Sequence, residues 1–358
     1  MRKKLTFLGI ETSCDETAAS IVQQNCDGHA EVLSNIVSSQ FKIHKRFGGI
    51  VPELAARSHA ENIDRIIKEA LKKSNFNLSN IDGIAATAGP GLIVCLNVGL
   101  NIAKSIACFS NKPFIAVNHL EGHALSAELE NKVKYPFLLL LISGGHSQYL
   151  IVNDVGNYEQ LGTTIDDALG EAFDKTAKML NLDYPGGPNL EKFATKGDKK
   201  FFKLPQPIIN RAGCNLSFAG LKTAVMHETK KIKNNNQLKF NLAASFQNTV
   251  NLILKKKTQE AMLQFKKKTK KKMADFVVAG GVAANKTIRK GLITLSKKNN
   301  FIPLFPNPKF CGDNAAMIAW VGIKRYKMNI TNNLDFNAKS RWPLDPDAPY
   351  MKGPGLKL

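Results

Sequence analysis

The sequence predicts an α/β protein with two lobes of similar construction. A group of short strands followed by alternating helices and strands begins near residue 5, and the same order of elements begins again near residue 137. In both places the opening strand enters a short polar or glycine turn before a second strand. One order of elements that occurs twice along a chain indicates a duplicated fold.

The first half contains three opening strands and then an alternation of helices and strands. Apolar runs predict strands at residues 5–12, 18–22, 32–38, 81–87 and 114–117. Apolar residues at helical spacing predict helices at residues 52–73, at residues 92–108 and from residue 119. We therefore expect an N-terminal lobe over residues 1–134.

The second half repeats these elements around a long insertion. Strands are predicted at residues 137–143, 149–152, 276–279 and 302–305, and helices from residue 285 and at residues 314–327. Residues 165–272 are mainly helical by pattern and divide this half. We expect a C-terminal lobe over residues 135–330 that contains this insertion. The proline-rich residues 331–358 are expected to form an extended tail that lies on the body or frays from it.

Composition favours a soluble protein with an anionic partner. The 358 residues carry a formal net charge of +21, which favours nucleic acid, nucleotide or acidic lipid. Forty-two of the 50 basic residues are lysine, and base composition of the genome can also produce this skew. The six cysteines form no C-x-x-C pair, as expected in a reducing compartment. The N-terminal apolar stretch is too short for a signal peptide, and residues 137–142 are too few to span a bilayer. These features predict a cytoplasmic protein without a membrane segment.

His119, His123 and Asp313 are candidate metal ligands. The two histidines are spaced i, i+4, so a helix would place both imidazoles on one face. Two imidazoles and one carboxylate suit Fe(II) or Zn(II) with positions left for substrate oxygens. The alternatives are two unrelated histidines on an amphipathic helix, and an N-cap role for Asp313 ahead of the last helix.

Glycine turns after predicted strands and a lysine-rich helix are candidate sites for phosphate groups. The turns lie near residues 9–15, 143–146, 186–188 and 280–282, and backbone amides at such turns can hold phosphates. Nine lysines lie between Lys255 and Lys272. They contact a nucleic-acid backbone or form the solvated face of a helix, and no aromatic residues alternate with them to stack bases.

Nine strings occur in a fixed order along nearly the whole chain. They are residues 9–17 (GIETSCDET), 48–55 (GGIVPELA), 88–92 (AGPGL), 119–123 (HLEGH), 143–147 (SGGHS), 170–175 (GEAFDK), 184–188 (YPGGP), 280–285 (GGVAAN) and 313–314 (DN). Together they closely resemble the bacterial TsaD family of tRNA N6-adenosine threonylcarbamoyltransferases, formerly called O-sialoglycoprotein endopeptidases (Gcp).

The resemblance implies a fold and a set of site residues. The fold is that of duplicated ribonuclease-H-like lobes in the actin, sugar-kinase and chaperone-ATPase superfamily. The family's metal ligands fall on His119, His123 and Asp313. Its substrate-contacting positions fall on Ile142, Ser143, Gly144, Gly145, His146, Asp174, Gly187 and Asn285. A further contact position falls on Glu191, where relatives commonly carry aspartate or a smaller polar residue.

The resemblance also implies an activity and partners. The threonylcarbamoyl group of threonylcarbamoyl-AMP is transferred to N6 of the adenosine 3'-adjacent to the anticodon, in tRNAs that read codons beginning with A, and AMP is released. The metal is expected to be Fe(2+), with Zn(2+) as the alternative, and the partners a TsaB-like paralogue and a TsaE-like ATPase.

Two other functions are alternatives. One is a glycoprotein endopeptidase that uses the same histidines, although Leu120 stands where such a motif requires its glutamate and Glu121 lies about 100° further round the helix. The other is a sugar kinase or ATPase of the same fold, for which the chain offers glycine turns but no recognised sugar-specific motif.

Overall fold

The computed structural model describes residues 4–45, 47, 49–183, 185–232 and 235–348. The strands are β1 (Leu5–Glu11), β2 (Glu16–Gln24), β3 (Ala30–Ser39), β4 (Gly83–Gly89), β5 (Phe114–Asn118), β6 (Phe137–Ile142), β7 (Ser147–Asp154), β8 (Asn157–Thr163), β9 (Ala274–Ala279) and β10 (Phe301–Leu304). The helices are α1 (Phe41–Lys45), α2 (Pro52–Ser74), α3 (Ile93–Ser110), α4 (His119–Leu125), α5 (Leu169–Met179), α6 (Gly186–Ala194), α7 (Ala219–Ile232), α8 (Asn236–Thr269), α9 (Lys286–Lys298), α10 (Pro308–Cys311) and α11 (Ala315–Lys327).

The chain divides into two compact units. The first contains Met1–Val133, Val155–Asn157 and Pro306–Pro346, and the second contains Lys134–Asp154, Tyr158–Phe305 and Asp347–Leu358. The lobes drawn from the sequence remain a prediction, and the structure groups residues 306–346 with the first unit. The repeated order of elements carries no information about which sheet the last helix covers.

Each unit contains, among its described residues, a five-stranded sheet with the same topology. The order is β3-β2-β1-β4-β5 in the first unit and β8-β7-β6-β9-β10 in the second. In both sheets the first strand is central, antiparallel to the second strand and parallel to the fourth. This equivalence confirms the predicted duplication. Strand β8 was not predicted, because only Tyr158 and Gly162 of its seven residues are buried.

Helix α11 covers one face of the first sheet. It packs on β1 at Gly9, where an added Cβ would lie 2.3 Å from the carbonyl oxygen of Ala315 and 2.6 Å from the amide nitrogen of Ala319. The absence of a side chain at Gly9 therefore lets the backbones of strand and helix approach. Every residue from 315 to 323 is buried, so this helix is a core element of the first unit.

Residues 331–346 of the tail belong to the first unit. The amide of Asn332 donates to the carbonyl of Phe114, and the amide of Lys339 donates to the carbonyl of Ala88. Phe336 and Trp342 pack against the buried core of that unit. The tail prediction for residues 349–358 falls outside the described residues.

The predicted helical insertion is helical in two parts. Helices α5 and α6 precede residues 195–218, which have no helix in the described structure, and α7 and the 34-residue α8 follow. Among the described residues one helix, α3, is long and apolar enough to cross a membrane by length and composition. Because Leu96, Leu100 and Ala103 of α3 are buried in the core of the first unit, a core role explains its apolar composition.

Candidate active site

The two candidate histidines are the first and fifth residues of α4, directly after β5. Asn118 is the N-cap, and its Oδ1 accepts a hydrogen bond from the Leu120 amide at 2.9 Å. This cap fixes where the helix begins and therefore where both imidazoles point. The ring centroids of His119 and His123 are 4.8 Å apart and the planes are nearly perpendicular. The helix ends at Leu125 and is followed by a 3-10 turn over Ser126–Leu129.

Asp313 lies beside both imidazoles. Its Oδ1 is 3.1 Å from His123 Nε2 and 3.6 Å from His119 Nε2, and one ligand atom from each residue lies within 4.8 Å of the others. All three residues belong to the first unit. The prediction that they come together is confirmed, but the assignment of Asp313 to the C-terminal lobe differs from the observed units.

The N-cap alternative for Asp313 is wrong. The N-cap of α11 is Asn314, whose Oδ1 accepts from the Met317 amide at 3.2 Å. Its Nδ2 donates to the carbonyl oxygen of Gly312 at 2.9 Å. Because Asn314 holds both the helix start and the preceding turn, the carboxylate of Asp313 can face the histidines.

A buried carboxylate supports His119 from behind. His119 Nδ1 lies 3.0 Å from Glu11 Oε2 and 3.2 Å from the Ser13 hydroxyl. Glu11 is fully buried, and it accepts hydrogen bonds from the Ser13 amide and the Thr87 hydroxyl. A proton held at Nδ1 leaves Nε2 of His119 as the atom that can bind a metal.

Sequence reasoning missed Glu11 and Ser13 as parts of this site. Their position could have indicated it, because the parallel strands β1, β4 and β5 end at one edge of the sheet. Glu11 ends β1 and His119 follows β5, so the chain order alone places them near each other.

The charges around the site interact strongly. Burial would lower the pKa of His119, whereas the carboxylates of Glu11 and Asp313 raise that pKa to about 9. Burial would raise the pKa of Glu11, but His119 lowers it below its ordinary value. Burial, Asp313 and Asp15 raise the pKa of Glu16 to about 10. The negative potential near Asp313 is that expected around a cation site.

The donor set fits a transition metal. Two imidazole nitrogens and one carboxylate oxygen are ligands that Fe(II) and Zn(II) accept. The side chain of Asp313 is 23% exposed whereas that of His123 is 1% exposed, so the site opens on the aspartate side. His123 Nδ1 is buried and lacks a hydrogen-bond partner within the described residues, and its Nε2 is the nitrogen that faces Asp313.

Glu121 does not belong to this group. It is fully buried, and its Oε2 accepts a hydrogen bond from Arg325 Nε at 2.7 Å. Its Oε1 accepts from the amide of Gly156 at 2.9 Å. A carboxylate held by these hydrogen bonds has a structural role. Glu121 is therefore not placed to act as the general base of a metalloprotease.

The predicted substrate-contacting residues lie in the second unit, and residues 142–146 form the turn that follows β6. The Ser143 amide donates to the His146 carbonyl at 2.8 Å, and the His146 amide donates to the Ser143 hydroxyl at 3.1 Å. Gly144 and Gly145 are exposed, and a Cβ at either position would meet no atom within 4 Å. A ligand can therefore approach the backbone of this turn.

Two other glycines hold the turn in place. A Cβ on Gly170, in the first turn of α5, would lie 2.6 Å from the carbonyl oxygen of Ser143. A Cβ on Gly280, after β9, would lie 2.5 Å from the carbonyl oxygen of Ile142, and Gly280 has φ of +92°. Both contacts require glycine, so α5 and the end of β9 pack directly on the turn.

The remaining predicted positions are linked to the same edge. Asp174 on α5 accepts a hydrogen bond from the Gly187 amide at 3.3 Å. Asn285 caps α9 through the Ile288 amide. Glu191 on α6 accepts from the Lys286 amide at 2.7 Å. The structure thus collects these residues at the carboxyl ends of β6 and β9, where α/β sheets bind ligands.

The fold and the donor set define a two-lobed α/β protein with a His-His-Asp group that could hold a metal ion. A solved structure of HypF from T. kodakarensis shares the fold, with a TM-score of 0.60 and 14% identity over 91% of this chain and 48% of that longer chain.

Closer relatives identify the family. The family model "TsaD: tRNA N6-adenosine threonylcarbamoyltransferase" matches residues 31–320. The tRNA N6-adenosine threonylcarbamoyltransferase of Pelagibacter ubique (strain HTCC1062) is 58% identical over the full length of both chains. The corresponding protein of Rhizobium etli is 49% identical over 99% of this chain and 98% of its own length. The chain belongs to the TsaD family of tRNA N6-adenosine threonylcarbamoyltransferases.

Proposed function

We propose that this protein transfers the threonylcarbamoyl group of threonylcarbamoyl-AMP to N6 of the adenosine 3'-adjacent to the anticodon, in tRNAs that read codons beginning with A. Membership of the family supports this activity. The observation that carries the proposal is the set of one ligand atom each from His119, His123 and Asp313 within 4.8 Å.

The reaction exchanges one bond for another. N6 of adenosine forms a bond to the carbamoyl carbon, and the bond from that carbon to the phosphate oxygen breaks with its electron pair. AMP leaves, and one proton leaves N6. Negative charge develops on the carbamoyl oxygen and on the departing phosphate, so the site must stabilise charge at both positions.

We propose that His119, His123 and Asp313 hold Fe(II), with Zn(II) as the alternative. When bound, the metal supplies Lewis acidity toward the developing negative charge. Glu11 keeps a proton on Nδ1 of His119 and so presents the unprotonated Nε2. The partial exposure of Asp313 leaves one side of the site accessible to substrate oxygens.

We propose that residues of the second unit bind the adenylate. The exposed backbone of residues 143–146 and Gly187 suits phosphate and carbonyl oxygens. Asp174 suits hydroxyl groups of the ribose or of the threonyl moiety. Asn285 lies at the start of α9, where amides favour an anion. Glu191 is proposed to hold the start of α9 through the Lys286 amide.

The resemblance to the family supports the proposed partners and location. We propose that the protein acts in the cytoplasm with a TsaB-like paralogue and a TsaE-like ATPase. The test is therefore reconstitution with these proteins, tRNA, threonine, bicarbonate and ATP, followed by mass analysis of the tRNA nucleosides.

Variants of the histidines make the test specific. His119→Ala and His123→Ala are expected to abolish formation of threonylcarbamoyladenosine and metal binding, while thermal unfolding shows that each variant still folds. His227→Ala, which removes an exposed imidazole from α7, is the matched control and should leave both unchanged. Normal product formation by the His119→Ala and His123→Ala variants, or by metal-free protein, would refute the proposal.

The same preparation tests the two alternatives. Because Glu121 is held by Arg325, we expect no cleavage of a glycoprotein. Release of phosphate from ATP at equal rates with and without tRNA and bicarbonate would instead indicate an ATPase or kinase.

A further inference from the structure

A groove on the second unit lies between helices α8 and α9 and the irregular segment 206–210. Its volume is about 360 Å³. Among the residues that line it, those with cationic or amide side chains are Lys255, Lys256, Lys298, Gln206, Asn210 and Gln259.

The groove is strongly cationic. No Asp or Glu is among its lining residues in the described part of the chain. Helix α9 carries five basic residues and no acidic one, and α8 carries seven lysines and a single acid, Glu260. Glu260 accepts a hydrogen bond from Gln264 on its own helix and does not line the groove. The lysines of the groove therefore act without a compensating charge in its wall.

The two helices that border the groove are closely packed on each other. Gly291 of α9 lies so near α8 that an added Cβ would clash with the side chain of Asn251. The absence of a side chain at Gly291 therefore leaves room for Asn251 between the helices.

The segment that forms the third wall is strained and anchored. Ile208 has φ of +47°, a conformation that a β-branched residue rarely adopts. Lys257 is buried, and its Nζ donates to the carbonyl oxygens of Arg211 at 2.7 Å and Gly213 at 3.1 Å. Strain held by surrounding contacts is frequent at binding sites. Here it positions Gln206 and Asn210 opposite the lysines.

We propose that this groove binds the phosphate backbone of the tRNA substrate, an inference that rests on the proposed function. Ammonium and amide groups donate hydrogen bonds to phosphate oxygens, and the lack of carboxylates in the wall favours a polyanion. No aromatic side chain lines the groove within the described residues, so bases have no surface to stack on. The contact therefore positions the tRNA without reading its sequence.

The test compares two triple variants of the full-length protein. The groove variant is Lys255→Gln, Lys256→Gln and Lys298→Gln, and the control is Lys72→Gln, Lys73→Gln and Lys132→Gln, three exposed lysines of the first unit. Both lose three positive charges. Binding of unmodified tRNA is measured as a function of salt concentration, and thermal unfolding confirms that each variant folds.

The groove variant is expected to bind tRNA at least about tenfold more weakly at low salt, with a slope of log K against log salt reduced by about 2 to 3. The control variant should change the slope by less than about 1. Lys255→Arg, Lys256→Arg and Lys298→Arg together should restore binding. Equal slopes for the groove and control variants would overturn the proposal. This also holds if the groove variant has lost only its binding to a protein partner.

Product formation separates this proposal from the proposed function. At saturating tRNA the groove variant should form threonylcarbamoyladenosine at the wild-type rate, with a raised KM for tRNA. If the wild-type protein binds tRNA through the groove but forms no product, the proposed function fails and the groove assignment holds.

Discussion

Nδ1 of His119 lies 3.0 Å from Oε2 of Glu11, and Glu11 is fully buried. A buried carboxylate behind an imidazole fixes the ring orientation and raises the basicity of the other nitrogen. Glu11 is thus positioned to influence the proposed metal site although it is not one of the three proposed ligands, and its contribution can be measured separately from theirs.

We expect Glu11→Gln to weaken metal binding about 10- to 100-fold, because the amide can still accept from His119 but no longer supplies a negative charge. Metal affinity is measured by titration of the metal-free protein. Glu61→Gln, at an exposed position of α2, is the control and should bind metal as the wild type does. Unchanged affinity in Glu11→Gln would show that Glu11 only fills space.

Gly9→Ala is expected to destabilise the first unit by about 1 to 3 kcal/mol or more. The added methyl group would lie 2.3 Å from the carbonyl oxygen of Ala315, and the backbone of α11 cannot rotate away as a side chain could. Denaturant unfolding gives the change in free energy. Gly49→Ala, where a Cβ meets no atom within 4 Å, should cost little. If the two variants are equally stable, the packing of α11 on β1 is looser than described.

Much of this fold could be predicted from the sequence because it depends on local patterns. Strands β1 and β4 are apolar and almost fully buried, so apolar runs indicate them, and the repeated order of elements predicted two sheets of one topology. The placement of α11 was not predictable in the same way. It depends on a close backbone contact at Gly9, more than 300 residues away in sequence.

The candidate site was predicted in part. The i, i+4 spacing of His119 and His123 predicts that both imidazoles lie on one face, provided that the segment is helical. For Asp313 the sequence left an N-cap role open, and only the structure shows that the next residue, Asn314, caps α11. Glu11 was not predicted as part of the site, because a single carboxylate at the end of a buried strand does not belong to any repeating pattern of residues.

The stability of the first unit should depend on the charge state of His59. Its Nε2 lies 3.0 Å from the carbonyl oxygen of Cys14, and the ring is fully buried. Burial lowers the pKa of His59, and the nearby His44 lowers it further, although the Cys14 carbonyl, Glu11 and Asp15 act in the opposite direction. The unfolded chain therefore binds the proton more readily than the folded chain does.

The sign of the pH effect follows from this difference. The contribution of neutral His59 is fully present above the ordinary pKa of 6.5 and is lost as the pH falls below it, by at most about 1.4 kcal/mol per pH unit. We expect the unfolding free energy of His59→Gln to fall less between pH 8 and pH 5.5 than that of the wild type. His29→Gln, at an exposed position, should follow the wild type. Parallel curves for His59→Gln and the wild type would contradict the expectation.

Neighbouring lysines of α8 are expected to have opposite roles. Lys257 is buried and its Nζ donates to two carbonyl oxygens of the segment that lines the groove, whereas Lys256 is exposed. Lys257→Met keeps most of the apolar stem but leaves both carbonyls without this donor, which should cost about 1 to 3 kcal/mol of stability. Lys256→Gln removes a solvated charge and should leave the unfolding free energy within about 0.5 kcal/mol of the wild-type value. Denaturant unfolding of both variants, beside their tRNA affinities, distinguishes the lysine that holds the groove from the lysine that faces a ligand. A stable Lys257→Met protein would show that the strained turn at Ile208 needs no such anchor.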